Sequence, residues 1–149
     1  MLGRYNIVQA YEYDAEILLR DIHPDIKKEL DILSNLNTLD LIKENIQTAD
    51  DAWSVFEGEQ ILCIFGVGQR TLLSDTGIPW MLTTTYIKQH TRNLLIGTKV
   101  VLDYWMKRYN KLENFVPSTF TSSIRWLKWA GFTIEPSTAN IYRVVLERG

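Results

Sequence analysis

The chain has 149 residues, of which 46% are hydrophobic and 23% charged, and its formal net charge is -2. That length and balance fit one domain, 1–149, with an ordinary buried core, and exclude a long disordered region. The small net charge excludes broad electrostatic attraction to nucleic acid or an anionic membrane, so proteins and small molecules are the expected partners.

Tyr5 to Ala10 carries β-branched and aromatic residues and predicts an opening strand. Ala15, Ile17, Leu18, Leu19 and Ile22 predict a helix that runs toward Pro24, which either breaks that helix or starts the next at its first position. His23, beside Pro24, is expected to help start a helix. Ile26, Leu30, Ile32 and Leu33 continue the helical spacing. Leu36 to Ile46 predicts a further amphipathic helix, with Leu39, Ile42 and Ile46 on one side and Lys43 and Glu44 facing out.

The pattern then changes period. Ala52 to Phe56, the turn Glu57-Gly58-Glu59-Gln60 and the run Ile61 to Val67 predict an antiparallel hairpin, with Gly58 supplying the turn. Cys63, the only cysteine, lies in that apolar run. A single cysteine excludes an intramolecular disulfide and a multi-thiolate zinc site, and a strand core is the wrong setting for a reactive thiol. Leu73 to Pro79, with Ser, Asp, Thr, Gly and Pro, reads as a loop, and Trp80 to Tyr86 as a strand. Between Thr91 and Tyr109, Leu94, Leu95, Thr98, Val101, Leu102 and Trp105 recur at helical spacing, while Lys99, Asp103, Lys107 and Arg108 take the wetter face. Leu112 to Val116 predicts another strand. No run of roughly 18 apolar residues could span a bilayer, and neither end has a basic segment followed by an apolar stretch, so neither a membrane span nor a signal peptide is expected.

Asn114 to Phe132 carries the most information. It reads as a strand, a helix packed through Ile124, Trp126 and Leu127, and a Gly131-Phe132 stop that feeds a further strand. This strand, helix, Gly-Phe, strand sequence resembles the C-terminal half of the Gcn5-related N-acetyltransferase (GNAT) fold. The resemblance implies an α/β (α+β) domain with a mixed, mostly antiparallel sheet of about six or seven strands and helices on both faces. It also implies acetyl-coenzyme A as the cofactor to look for. In GNAT enzymes a stretch resembling Arg-x-x-Gly-x-Gly follows the central strand and cradles the cofactor pyrophosphate with backbone N–H groups at a helix start. Here the matching stretch is Arg92 to Gly97, with Leu95 in place of the first glycine, so the helix is expected to start earlier. The implied cofactor-binding residues are Leu82, Thr83, Arg92, Gly97 and Thr98. The plainer alternatives are a solvated charge at Arg92 and, at Gly97, a small residue at a tight helix-to-sheet contact.

Acetyl transfer to an amine needs a base for the amine, a polarised thioester carbonyl and an acid for the departing thiolate. Many GNAT enzymes supply that acid from a tyrosine in a stretch resembling Asn-x-x-Ala-x-x-x-Tyr-x-x-x-Gly-Phe. Counted back from Gly131-Phe132, the tyrosine falls on Leu127, the alanine on Ser123 and the asparagine on Phe120, so the polar content is lost and no catalytic residue is assigned. Tyr104 reads as a core or rim aromatic. His90 is either a solvated loop histidine or a general base, and Thr83, Thr84 and Thr85 can bond a substrate without acting as bases. Two histidines without a carboxylate cluster imply no metal site.

Pro79 to Thr84, Lys107 to Leu112, Asn114 to Val116 and Ser123 to Lys128 resemble, in order and spacing, the internal virion protein A family of T7-like podoviruses. The resemblance implies a bacteriophage protein in the host cytoplasm or associated with the virion. On that reading a degenerate acetyl-CoA cleft accompanies contacts with a phage or host protein in virion assembly or host takeover. The alternative is a working N-acetyltransferase that binds acyl-CoA. Trp126 and Trp129, three apart on one helix, place one indole at an interface, so a homo-oligomer is a further expectation.

Overall fold

The computed structural model describes residues 4–33, 37–69 and 74–147. Its elements run β1 (Asn6–Gln9), α1 (Asp14–Arg20), α2 (Pro24–Leu33), α3 (Thr38–Thr48), β2 (Asp51–Glu57), β3 (Gln60–Gly68), β4 (Thr76–Thr83), a 3₁₀ turn (Thr85–His90), α4 (Thr91–Arg108), β5 (Lys111–Pro117), α5 (Thr121–Trp129), β6 (Thr133–Thr138) and β7 (Ile141–Glu147). The strands are ordered β1-β2-β3-β4-β5-β7-β6 in one seven-stranded sheet. β4 and β5 pair in parallel, whereas β1 with β2, β2 with β3, β5 with β7 and β6 with β7 pair antiparallel. This is the mixed, mostly antiparallel sheet that the resemblance to the GNAT fold implies.

The chain forms two compact units, one from Met1–Gly68 with Trp80–Leu94, the other from Gln69–Pro79 with Leu95–Gly149. In the first, α1 and α3 pack against β3 and α2 packs against α3, and the core holds Ala15, Leu18, Leu30, Ile42, Ile61 and Leu82. Leu18 and Ile42 are fully buried, each side chain contributing about 1.5–3 kcal/mol by removal from water. Pro24 occupies the first position of α2, where its missing N–H costs nothing. His23 helps to cap the same helix: its Nδ1 accepts from the Asp25 N–H at 3.1 Å. The expected start of the next helix at Leu36 lies outside the described residues, and Asn37 is the cap that the structure shows. Its Oδ1 accepts from the Asp40 N–H at 2.8 Å.

Gly58 turns the β2–β3 hairpin at φ +60°, the left-handed conformation expected of it. Gly66 has a different reason to be glycine. A Cβ there would lie 2.6 Å from Trp80 Cζ2 and 2.8 Å from the Asp51 carbonyl oxygen. Asp14 is buried in this unit and accepts through Oδ2 from the Tyr11 N–H at 3.0 Å and from Ser54 Oγ at 2.9 Å, tying α1 to β2.

The second unit corrects one expectation. Leu73 lies outside the described residues, but Thr76 to Pro79 is strand and not loop, because Thr76 and Gly77 pair with Lys111 and Leu112 of β5. Pro79 lacks an N–H to give to a ladder, and its carbonyl accepts instead from Asn114 Nδ2 at 3.1 Å. The far end of β4 also differs: the strand stops at Thr83, and Thr85 to His90, including Tyr86, form the 3₁₀ turn. Thr85 N–H is drawn to the Asp21 carbonyl at 2.9 Å, and Ile87 N–H to that of Thr84 at 3.2 Å, so neither continues a ladder.

α5 ends as the Gly-Phe stop predicts. The Phe132 N–H donates to the Leu127 carbonyl at 3.0 Å and the Gly131 N–H to that of Lys128 at 3.1 Å, with Gly131 at φ +106°. These paired bonds satisfy carbonyls that the helix end would leave open, and the left-handed residue between them is the glycine. Phe132 is buried beyond the turn and starts the chain toward β6.

Candidate functional site

Arg92, Gly97 and Thr98 all lie on α4, while Leu82 and Thr83 end β4. α4 starts at Thr91, as the leucine at position 95 predicts. The Arg92 to Gly97 stretch therefore lies inside a helix and does not form a glycine loop. From Leu95 onward the backbone N–H groups fall beyond the first turn, where an α-helix commits them to its own carbonyls. Arg92 is exposed in the first turn. Thr98 is buried on the same face as Leu102 and Trp105.

Gly97 is not the tight helix-to-sheet contact of the plainer alternative. A Cβ at this position would meet nothing within 4 Å. Leu82 belongs to the apolar core of the first unit. Thr83 is buried, and its carbonyl already accepts from the His23 N–H at 3.0 Å. Thr84, which is fully buried, donates through Oγ1 to the Ile61 carbonyl at 2.8 Å. The threonines at the end of β4 are thus largely engaged in holding that strand in place.

On α5, Phe120 is buried at the helix start without a side-chain capping bond, and Leu127 is half-buried. Neither presents a group that can donate a proton. The neighbouring Trp126 carries a polar atom that sequence reading did not single out: its indole Nε1–H is buried and has no hydrogen-bond partner. Trp129 is half exposed, with the Lys99 ammonium 4.7 Å from its ring centroid. Tyr104 is 61% exposed, which removes it from the core. Together with Ile96 and Val100 it forms an exposed apolar row along α4, at the helical neighbour spacing i, i+4, i+8.

His90 departs furthest from expectation. It is 5% exposed and not a solvated loop residue. Its Nδ1 lies 2.7 Å from the Tyr5 hydroxyl, and its Nε2 lies 3.3 Å from Glu57 Oε1. Asn93 Nδ2 donates to the same tyrosine oxygen at 2.8 Å, and Arg4 Nε donates to Glu57 Oε2 at 2.7 Å. The segment before β1, the β2–β3 turn and the start of α4 thus meet in one polar cluster. Nothing in local spacing signals it, because Tyr5 and His90 are 85 positions apart.

Among the described residues, no group of three or more His, Cys, Asp or Glu is placed to hold a metal ion. Cys63 is buried, and burial pushes its thiol up to about 12, so it is not a nucleophile near neutrality. No helix among the described residues is long and apolar enough to cross a membrane.

No protein-family model and no curated protein matches the sequence. Solved structures do match its backbone. The spermidine N-acetyltransferase of Vibrio cholerae, solved with CoA and spermine, superposes with a TM-score of 0.67 over 97% of this chain and 96% of its own, at 10% identity. The fold is the GNAT fold. PaiA N-acetyltransferase of Thermoplasma acidophilum, solved with coenzyme A, matches with a TM-score of 0.65 over 97% of this chain and 99% of its own, at 10% identity. A GNAT-family acetyltransferase from Streptococcus pneumoniae matches with a TM-score of 0.58 over 97% of this chain and 99% of its own, at 15% identity. In each case the likeness spans nearly the whole chain at a level of identity that speaks for the GNAT fold alone.

Proposed function

We propose that this chain is a phage-type GNAT-fold protein with a degenerate acetyl-CoA cleft, acting through contacts with a phage or host protein in virion assembly or host takeover. The observation that carries this reading is the start of α4 at Thr91, which puts Leu95 to Gly97, where the family's two glycines stand, beyond the first turn, so that their N–H groups go to helix carbonyls and not to a phosphate. Leu127 at the position of the family's acid points the same way. The exposed row Ile96, Val100 and Tyr104, with half-exposed Trp129, offers apolar surface of the kind that protein contacts cover.

A second reading has its own observation. The Vibrio cholerae and Thermoplasma acidophilum neighbours hold coenzyme A, and the former also spermine. By analogy the present chain would be an N-acetyltransferase, with Arg92, Gly97 and Thr98 on α4 and Leu82 and Thr83 on β4 receiving the cofactor and an amine or polyamine as acceptor. Thermal unfolding of the purified protein in rising acetyl-CoA separates the two, since a ligand that binds only the native state raises stability with its concentration. The first reading expects no change in Tm up to millimolar ligand. A concentration-dependent rise would overturn it in favour of the second.

A further inference from the structure

We propose that Tyr5 is a base-activated phenol, the reactive end of a Glu57–His90–Tyr5 relay, and that it accepts the acyl group of activated acyl compounds. The proposal does not depend on coenzyme A binding, because every residue in it lies in the first compact unit.

The chemistry of the donors sets the direction of the network. The Asn93 amide nitrogen can only donate, so the Tyr5 oxygen accepts from it; the Glu57 carboxylate can only accept, so in the neutral His90 ring the hydrogen sits on Nε2 and Nδ1 accepts from the Tyr5 O–H. The tautomer that satisfies this network carries its hydrogen on Nε2, facing Glu57 Oε1. A hydroxyl, an imidazole and a carboxylate thus follow one another within 2.7 and 3.3 Å, the succession of groups by which hydroxyl nucleophiles are activated in unrelated folds. Arg4 on the second Glu57 oxygen holds the carboxylate in place. The Arg4 guanidinium also lies 5.3 Å from the Tyr5 ring centroid. His90 is buried and Tyr5 half-buried, so Tyr5 is the more exposed of the two side chains.

In the step assigned to this relay, the Tyr5 oxygen attacks the carbonyl carbon of an acyl donor and its proton passes to His90 Nδ1. The resulting imidazolium is stabilised by Glu57 through Nε2–H. Collapse breaks the bond from the carbonyl carbon to the leaving group, which takes the proton from His90, and Tyr5 is left as its ester. The Asn93 N–H stabilises charge on the phenol oxygen as the proton leaves.

N-acetylimidazole is the probe, with acetylation sites and rates read by peptide mass spectrometry. Tyr11, Tyr13 and Tyr104 are internal controls, being 53%, 62% and 61% exposed. A positioned general base contributes about 10²–10⁴-fold, so Tyr5 is expected to acetylate at least about tenfold faster than these three despite its lower exposure. His90→Asn keeps an acceptor for the Tyr5 hydroxyl but removes the base, and should bring Tyr5 to or below the rate of the controls in protein that circular dichroism shows to be folded. Glu57→Gln, at a more exposed position, should slow Tyr5 as well and serves where His90→Asn does not fold. Tyr5 reacting no faster than Tyr11, Tyr13 and Tyr104 in the unaltered protein, or unchanged in a folded His90→Asn or Glu57→Gln variant, overturns the proposal and leaves a purely structural cluster.

Discussion

Gly97 and Gly66 provide a matched pair of substitutions whose effects should differ in sign. In the interior of an exposed helix, glycine costs about 1 kcal/mol relative to alanine through backbone entropy. At Gly97 a new Cβ meets nothing within 4 Å, so no clash offsets the gain. Gly97→Ala should therefore stabilise the protein by about 0.5–1 kcal/mol, a rise in Tm of about 1–4 °C for a chain of this size. At Gly66 the same methyl group would sit 2.6 Å from the Trp80 ring and 2.8 Å from the Asp51 backbone oxygen. Asp51 is held in the β2–β3 ladder opposite Val67, and Gly66 opposite Ala52, so the backbone atom cannot withdraw without breaking strand pairing. Gly66→Ala should destabilise by about 1–3 kcal/mol, the usual cost of overpacking. Urea unfolding monitored by tryptophan fluorescence measures both against the parent. A Gly97→Ala variant less stable than the parent would refute the helical placement of the Arg92 to Gly97 stretch, and a neutral Gly66→Ala would refute the contact with Trp80.

Cys63 should not react with a chromogenic disulfide reagent at pH 8 in the native protein, because burial pushes its thiol up to about 12, and should react in full after denaturation; rapid native labelling would contradict its placement in β3. Asp31 is held below the ordinary carboxylate range, first by its hydrogen bond from Lys27 and then by that from Thr38. A folded-state pKa below the unfolded one adds stability above the unfolded value and loses it as pH falls through the folded value. Lys27→Met should accordingly move the Asp31 titration upward in an NMR pH series, and an unmoved titration would show that the Lys27 bond at 3.0 Å does not persist in solution.

Much of the fold is legible in local pattern because its cause is local. Gly58 and Gly131 take positive φ, which favours glycine, and Pro24 can begin a helix but not continue one. The α4 start at Thr91 is readable because Leu95 continues an apolar helical face where a phosphate loop would need glycine. Thr76 to Pro79 is misread for the converse reason. Its Gly and Pro carry turn statistics, but pairing with β5 outweighs them, and those partners come from Lys111 and Leu112. The choice between the two readings of His90 was closed to sequence for the same reason: its two ring partners come from the segment before β1 and from the end of β2, not from its neighbours in the chain.

By itself the sequence determined the β2–β3 hairpin, the helices α4 and α5, the turns at Gly58 and Gly131 and the loss of an acid at position 127. These depend on side-chain periodicity, backbone dihedral preference and residue identity, all of which are properties of short stretches. Only the tertiary structure decided that His90 is buried between Tyr5 and Glu57, that Gly66 and not Gly97 is sterically obligatory, and that Tyr104 belongs to an exposed row. Each of these is a relation between side chains brought together by strand pairing and helix packing, and burial arises only when such distant segments exclude water from one another.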